Sequence, residues 1–371
     1  MPLRLLLVVV LVAGCARLGP SPEPPPPEGP TLTREELGRL LDEARRLRAK
    51  GDFPLARASV RQAIAGAERS QWSDQAADAH FLLGEIFGQE NLPRQAADAF
   101  VHAYDVSRRA GDRARGLRAL NALANTFLDL GEYDRASQVS AEALKLGRSL
   151  GDLQAQSRAL NNVGEAHRFA ARYEAALDAY NEALRLARRA GTPRDVAVIL
   201  ENMASTARRR GQLEAAAGYY GDALVAARQT GSADRVADLL NALTAIRLAQ
   251  ARPAEALGLA RDAADLGRQQ NLRRPLITAI QNEGLAAWGM GDRAAARRSL
   301  TEATQLARAM DERPLLAYAQ WHLGRLALEA GDRAGAAQAL EQALLLFRAL
   351  KLGDEALKVE AELGALRGSQ R

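Results

Sequence analysis

The chain has 371 residues, 47% hydrophobic and 26% charged, with only 5% aromatic. This balance suits a folded soluble body, the aromatic share is low for a β-rich protein, and the dominant Ala, Leu, Arg and Glu favour helix. Fifty basic against forty-five acidic residues leave a net charge of +5, too small and too evenly spread for a nucleic-acid partner.

The first element is a leader. A short start with one cation, Met1 to Arg4, precedes an unbroken apolar run from Leu5 to Ala13 and then Val12-Ala13-Gly14-Cys15. Nine apolar residues span about 14 Å as a helix, too short for a bilayer core of roughly 30 Å. Residues 1–14 therefore read as a signal peptide. The four residues ending at Cys15, the chain's single cysteine, resemble the lipobox of bacterial lipoproteins. The resemblance implies diacylglycerol on the Cys15 thiol, cleavage just before it, and membrane attachment by lipid alone. Ala16 stands where an aspartate would resemble an inner-membrane retention signal, so the outer membrane, facing the periplasm, is expected. Residues 15–31 form the next element. Gly19 to Pro30 holds seven prolines, which forbid helix and make an extended tether of about 3.1 Å per residue.

A repeat fills residues 32–351. Gly51, Gly131, Gly211, Gly291 and Gly331 share a forty-residue register, and Asn91, Ala171 and Ala251 occupy its remaining steps. Eight units follow, each numbered here so that this turn residue is its position fifteen. Positions twenty and twenty-seven are alanine in all eight, from Ala56 and Ala63 to Ala336 and Ala343. Seven residues is close to two helical turns, so both alanines share one face of a second helix and let a neighbour approach closely. The first helix supplies an apolar stripe at positions four, seven, eight and eleven, such as Leu120, Leu123, Ala124 and Phe127. Asp354 to Arg367 repeats the first-helix pattern once more. Residues 352–367 are expected as a capping helix, solvated by Glu355, Lys358, Glu360 and Glu362, with 368–371 as a disordered tail.

Leu-Gly in the first helix, a turn glycine, an aromatic, then Ala-x3-aromatic-x2-Ala resembles the tetratricopeptide repeat. The resemblance implies an all-α fold: a right-handed superhelical solenoid of eight helix-turn-helix units plus the cap. The family's unit has thirty-four residues and a proline at position thirty-two. Here that position is Arg108, Arg148, Arg188, Arg228, Arg268, Arg308 and Arg348, with Glu68 in the first unit. The second helix can then run on to Gly111, Gly151, Gly191, Gly231 or Asn271. The arginines read as cations favouring the last turn of each second helix, rather than as a stripe for an acidic partner. The longer unit is similar to the repeats of kinesin light chains and maltose-type bacterial regulators.

In the tetratricopeptide family, positions two, five, nine and twelve of each first helix line a concave groove that receives peptides. Here those positions hold Arg118, Asn121, Asn125, Arg158, Asn161, Glu165, Arg168, Glu201, Arg208 and Asn241. Asparagine offers a donor and an acceptor together, as an extended peptide backbone requires. Toward the C-terminal end the stripe becomes Gln281, Trp288, Tyr318, Trp321 and Arg325. Tryptophan and tyrosine are common binding anchors, although such rings also pack between adjacent helices.

Catalysis is not expected. His80, His102, His167 and His322 share no metal-ligand spacing, and the chain has neither a phosphate-binding glycine loop nor a nucleophile elbow. No metal or cofactor is expected. The chain reads as a lipid-anchored periplasmic scaffold gripping a protein or peptide, in envelope assembly, secretion, pilus biogenesis or cell-wall enzyme control. A peptide sensor and a structural spacer are the alternatives.

Overall fold

The structure, a computed structural model, describes residues 32–368. Cys15, the leader, the whole tether and residues 369–371 lie outside the described residues. Among the described residues there are seventeen α-helices and no strands, so the helical solenoid expected from the repeat is what forms. The first two units are α1 (Arg34–Lys50) with α2 (Phe53–Arg69), and α3 (Ser73–Gln89) with α4 (Pro93–Arg109). Next come α5 (Arg113–Asp129) with α6 (Tyr133–Leu150), then α7 (Leu153–Phe169) with α8 (Tyr173–Ala190). The fifth and sixth units pair α9 (Pro193–Arg209) with α10 (Leu213–Arg228), and α11 (Ala233–Ala249) with α12 (Pro253–Gln269). The last two pair α13 (Arg273–Gly289) with α14 (Arg293–Ala309), and α15 (Arg313–Glu329) with α16 (Arg333–Ala349). Helix α17 (Gly353–Gly368) closes the stack and runs one residue past the expected end of the cap.

The turns obey the register. Each link holds one residue in the left-handed region, from Gly51 at φ 80° to Gly331 at φ 76°. Ala171 (φ 57°) and Ala251 (φ 56°) adopt the same conformation despite their β-carbons. Between units the left-handed residue includes Gln71, Asp311 and Lys351, where no glycine marks the turn. The amide after a left-handed residue reaches back into the helix at every link but one, as Asp52 N does to Leu47 O at 3.0 Å, which satisfies end carbonyls; Ser232 N instead donates to Thr230 Oγ1 at 3.3 Å. Aspartates begin many helices: Asp52, Asp112, Asp152, Asp292 and Asp332 each accept from a backbone N–H in the first turn.

Packing follows from the two alanines. The residues at positions twenty and twenty-seven are all at most 1% exposed, which holds second helices tightly against their neighbours. Glycines complete the joint. At Gly84 a β-carbon would come within 2.6 Å of the Phe100 ring, and at Gly164 within 2.5 Å of Tyr180. The seven arginines of position thirty-two lie in the last turns of their helices, where a cation faces unpaired carbonyls. Some also hold carboxylates, as Arg148 does Glu182 at 3.5 Å and Arg268 does Asp265 at 3.2 Å.

The cap differs from expectation. Glu355, Glu360 and Glu362 do not solvate its outer face; they turn inward to Tyr318, Arg348 and Trp321 of the last unit. Neighbouring hydroxyl, guanidinium and indole donors outweigh hydration there, and only Lys358 of the four is exposed.

Candidate binding groove

The first helices form an inner wall, and their side chains reach across units with an offset of one residue. Asn202 Nδ2 donates to Asn161 Oδ1 at 3.0 Å, and Asn282 Nδ2 to Asn241 Oδ1 at 3.2 Å, each pair 41 residues apart. Gln154 donates to Asp195 at 2.8 Å, Trp288 to Glu329 at 2.8 Å and Trp321 to Glu362 at 2.9 Å, all with the same separation. These polar rungs share one separation, although unlike the alanines they do not recur in every unit.

Over units two to five the wall opens into a cavity of about 1320 Å³, larger than the roughly 300–1,000 Å³ of small-molecule sites. Arg118, Asn121, Asn125, Arg158, Asn161 and Glu165, all expected in the groove, line it together. Asn125 is exposed there and makes no side-chain hydrogen bond among the described residues. Asn121 is half-buried, and its Oδ1 has no partner among the described residues. Asn161 is 8% exposed and is committed to the rung with Asn202. Arg158 holds Asp195 at 3.2 Å, and Arg118 pairs with Asp78 while lying 4.2 Å from the Phe81 ring.

One corner is aromatic and acidic. Tyr133 and Phe169 stack with centroids 5.0 Å apart and planes 1° off parallel, and both line the cavity. Arg168 lies 4.1 Å from the Phe169 ring and holds Glu165 at 3.3 Å. Burial pushes the Glu165 carboxyl above its ordinary range despite Arg168, with Asp129 and Glu201 adding like charge. Asp129, also in the lining, is raised by burial.

The remaining expected residues lie elsewhere. Glu201 is held by Arg235 at 2.6 Å, and Arg208 is exposed, but neither lines this cavity. Asn241 and Gln281 are buried and donate to the carbonyls of Pro275 and Leu315 at 3.0 and 2.7 Å. Trp288, Tyr318, Trp321 and Arg325 are also outside it. Tyr318 and Trp321 pack edge-on against Phe347, at 5.1 and 5.9 Å, and their polar ends bind α17. Arg325 pairs with Glu362 at 3.6 Å and lies 5.8 Å from the Trp288 ring. Tyr318 and Trp321 join the last unit to its cap, and Trp288 joins unit seven to unit eight. Sequence reasoning missed Asn162, Asn202 and Asn282; their signal is asparagine recurring at position six.

Among the described residues no group of three or more His, Cys, Asp or Glu is placed to hold a metal ion. No helix there is long and apolar enough to cross a membrane.

Residues 114–189, which supply much of the cavity wall, match the family model of the tetratricopeptide repeat. No curated protein matches the sequence. Among solved structures, a signal-transduction ATPase with numerous domains and a tetratricopeptide repeat sensor, from Pyrococcus horikoshii, superposes with TM-score 0.64. It is 17% identical, over 88% of this chain and 49% of that one. BtubC from P. vanneervenii gives TM-score 0.53 at 21% identity, over 59% of this chain and 92% of that one. A Rap protein complexed with Competence and Sporulation Factor gives 0.53 at 14%, over 90% and 98%. Identities this low establish the likeness of fold.

Proposed function

We propose that this chain, a tetratricopeptide-repeat solenoid, is a protein-interaction scaffold that holds an extended segment of a partner in the cavity of units two to five. One observation carries the reading: residues chosen by their groove positions in the repeat converge on one large, open, polar cavity. Its volume suits several residues of peptide, and exposed Asn125 with the unpartnered Asn121 Oδ1 offers donors and acceptors to a backbone. The stacked Tyr133 and Phe169 give an apolar footing beside them.

The lipobox-like residues before Cys15 and the proline-rich tether support attachment to a bacterial envelope membrane by lipid, with the outer membrane favoured by Ala16. Envelope assembly, secretion, pilus biogenesis and control of a cell-wall enzyme are the settings such a scaffold fits. A photo-crosslinking residue at Asn125 should capture a partner in cells, and Asn121→Ala with Arg158→Ala should lose it. Undiminished capture by the double variant would remove the cavity from the reading. Cys15→Ser should leave unprocessed precursor, and normal maturation would overturn the lipid anchor.

A second reading is a peptide sensor. The Pyrococcus protein carries a repeat described as a sensor, and the Rap protein is complexed with a factor. A ligand-dependent change in the solution-scattering curve of the chain separates sensor from rigid scaffold.

A further inference from the structure

The glycine at position eight of a unit is a socket. In units two, four, seven and eight a β-carbon there would come within 2.6 Å of Phe100, 2.5 Å of Tyr180, 2.8 Å of Leu300 and 2.7 Å of Leu340. Each filling side chain comes from the second helix, which turns back antiparallel to the first. Gly364 occupies the same position in α17, yet a β-carbon there would meet no atom within 4 Å. The same position stands open in α17 among the described residues.

The face around it is apolar. Leu357 is 65% exposed and lies seven residues, about two turns, before Gly364 on the same side of the helix. Exposed Ala361 stands between them. The carboxylates that would repel a like surface are turned away, since Glu355, Glu360 and Glu362 bind Tyr318, Arg348 and Trp321 of the same chain. One acidic and one basic residue flank the stripe on its own face. Asp354 is exposed three residues before Leu357, and Arg367, which holds Glu341 of the same chain at 2.7 Å while 68% of its side chain stays exposed, follows three after Gly364.

We propose that α17 pairs with the α17 of a second copy of this chain, antiparallel about a two-fold axis. Each Leu357 then sits in the other copy's Gly364 socket, as a large side chain of a second helix does within units two, four, seven and eight. The register that seats leucine on glycine also sets Asp354 of one copy against Arg367 of the other, at both ends, where the aspartate shares a guanidinium that Glu341 already holds. A plug and a socket on one helix make the surface self-complementary, which a two-fold contact requires. This surface is separate from the cavity of units two to five and stands without that reading.

Sedimentation equilibrium of the full chain should give the mass of two copies. Leu357→Glu should halve it with unchanged circular dichroism, and Gly364→Trp, which fills the socket from within, should do the same. Asp354→Arg should weaken association several-fold, and adding Arg367→Asp should restore it. A single-copy mass at all concentrations would overturn the proposal and leave the face to another partner. A pair that survives both Leu357→Glu and Gly364→Trp would place the contact elsewhere and overturn it too.

Discussion

Asn202 donates its side-chain amide to Asn161 at 3.0 Å, joining α9 to α7 along the inner wall. Asn161 is buried, so losing its partner leaves a polar group without water. Asn202→Ala should cost about 1–3 kcal/mol in urea unfolding. Asn161→Ala should cost a similar amount, and the double variant less than the sum of the two. Additive effects would mean that the rung carries no coupling.

Ala171 and Ala251 hold left-handed backbone that glycine occupies in five other units. A β-carbon in that conformation costs roughly 1–2 kcal/mol, partly offset because glycine has more freedom to lose on folding. Ala171→Gly and Ala251→Gly should each raise the urea midpoint, and Gly131→Ala should lower it. A fall in midpoint for both alanine variants would show that the turn strain is relieved elsewhere.

Gly164 and Gly218 both lie inside helices, with opposite surroundings. A β-carbon at Gly164 would collide with Tyr180, whereas one at exposed Gly218 would meet nothing within 4 Å. Gly164→Ala should therefore destabilise by about 1–3 kcal/mol through overpacking. Gly218→Ala should stabilise by about 0.5–1 kcal/mol through backbone entropy. Thermal unfolding of the two single variants reads the difference in sign.

His322 sets a pH dependence. Burial, with Arg325 nearby, lowers its pKa from 6.5 to about 4. Between those values the unfolded chain binds the proton more readily, so this group's contribution to stability falls as pH drops from about 6.5 to about 4. Asp129 and Glu165 act oppositely, because their raised carboxyls bind protons more readily in the folded state. The difference between the parent chain and His322→Leu isolates the histidine: the variant should lose less stability over this pH range. Parallel pH profiles would show that His322 does not titrate with folding.

The turns and the alanine joint were legible because each rests on a residue type with few substitutes. A left-handed turn favours glycine or asparagine, and close helix approach admits little larger than alanine. The asparagines were legible in place but not in role. Asn125 and Asn161 share the groove stripe, yet one is exposed and the other is spent on a rung, because position five also faces the next first helix. Trp321 was ambiguous for the same reason: it shares that stripe, yet it donates its indole N–H to Glu362 on α17. The cap's inward carboxylates were hidden because their donors lie in other helices.

The polar rungs link residues 41 apart in a chain whose units repeat every forty. This difference of one works as a vernier. At each such rung a side chain meets the residue one beyond its equal in the next unit, a mismatch of about 1.5 Å of helix rise. A strand laid along the inner wall thus climbs a stair of even treads, each set about one residue further along its helix. Periodicity supplies the frame, and the side chains that differ from unit to unit give each stretch of the wall its own surface.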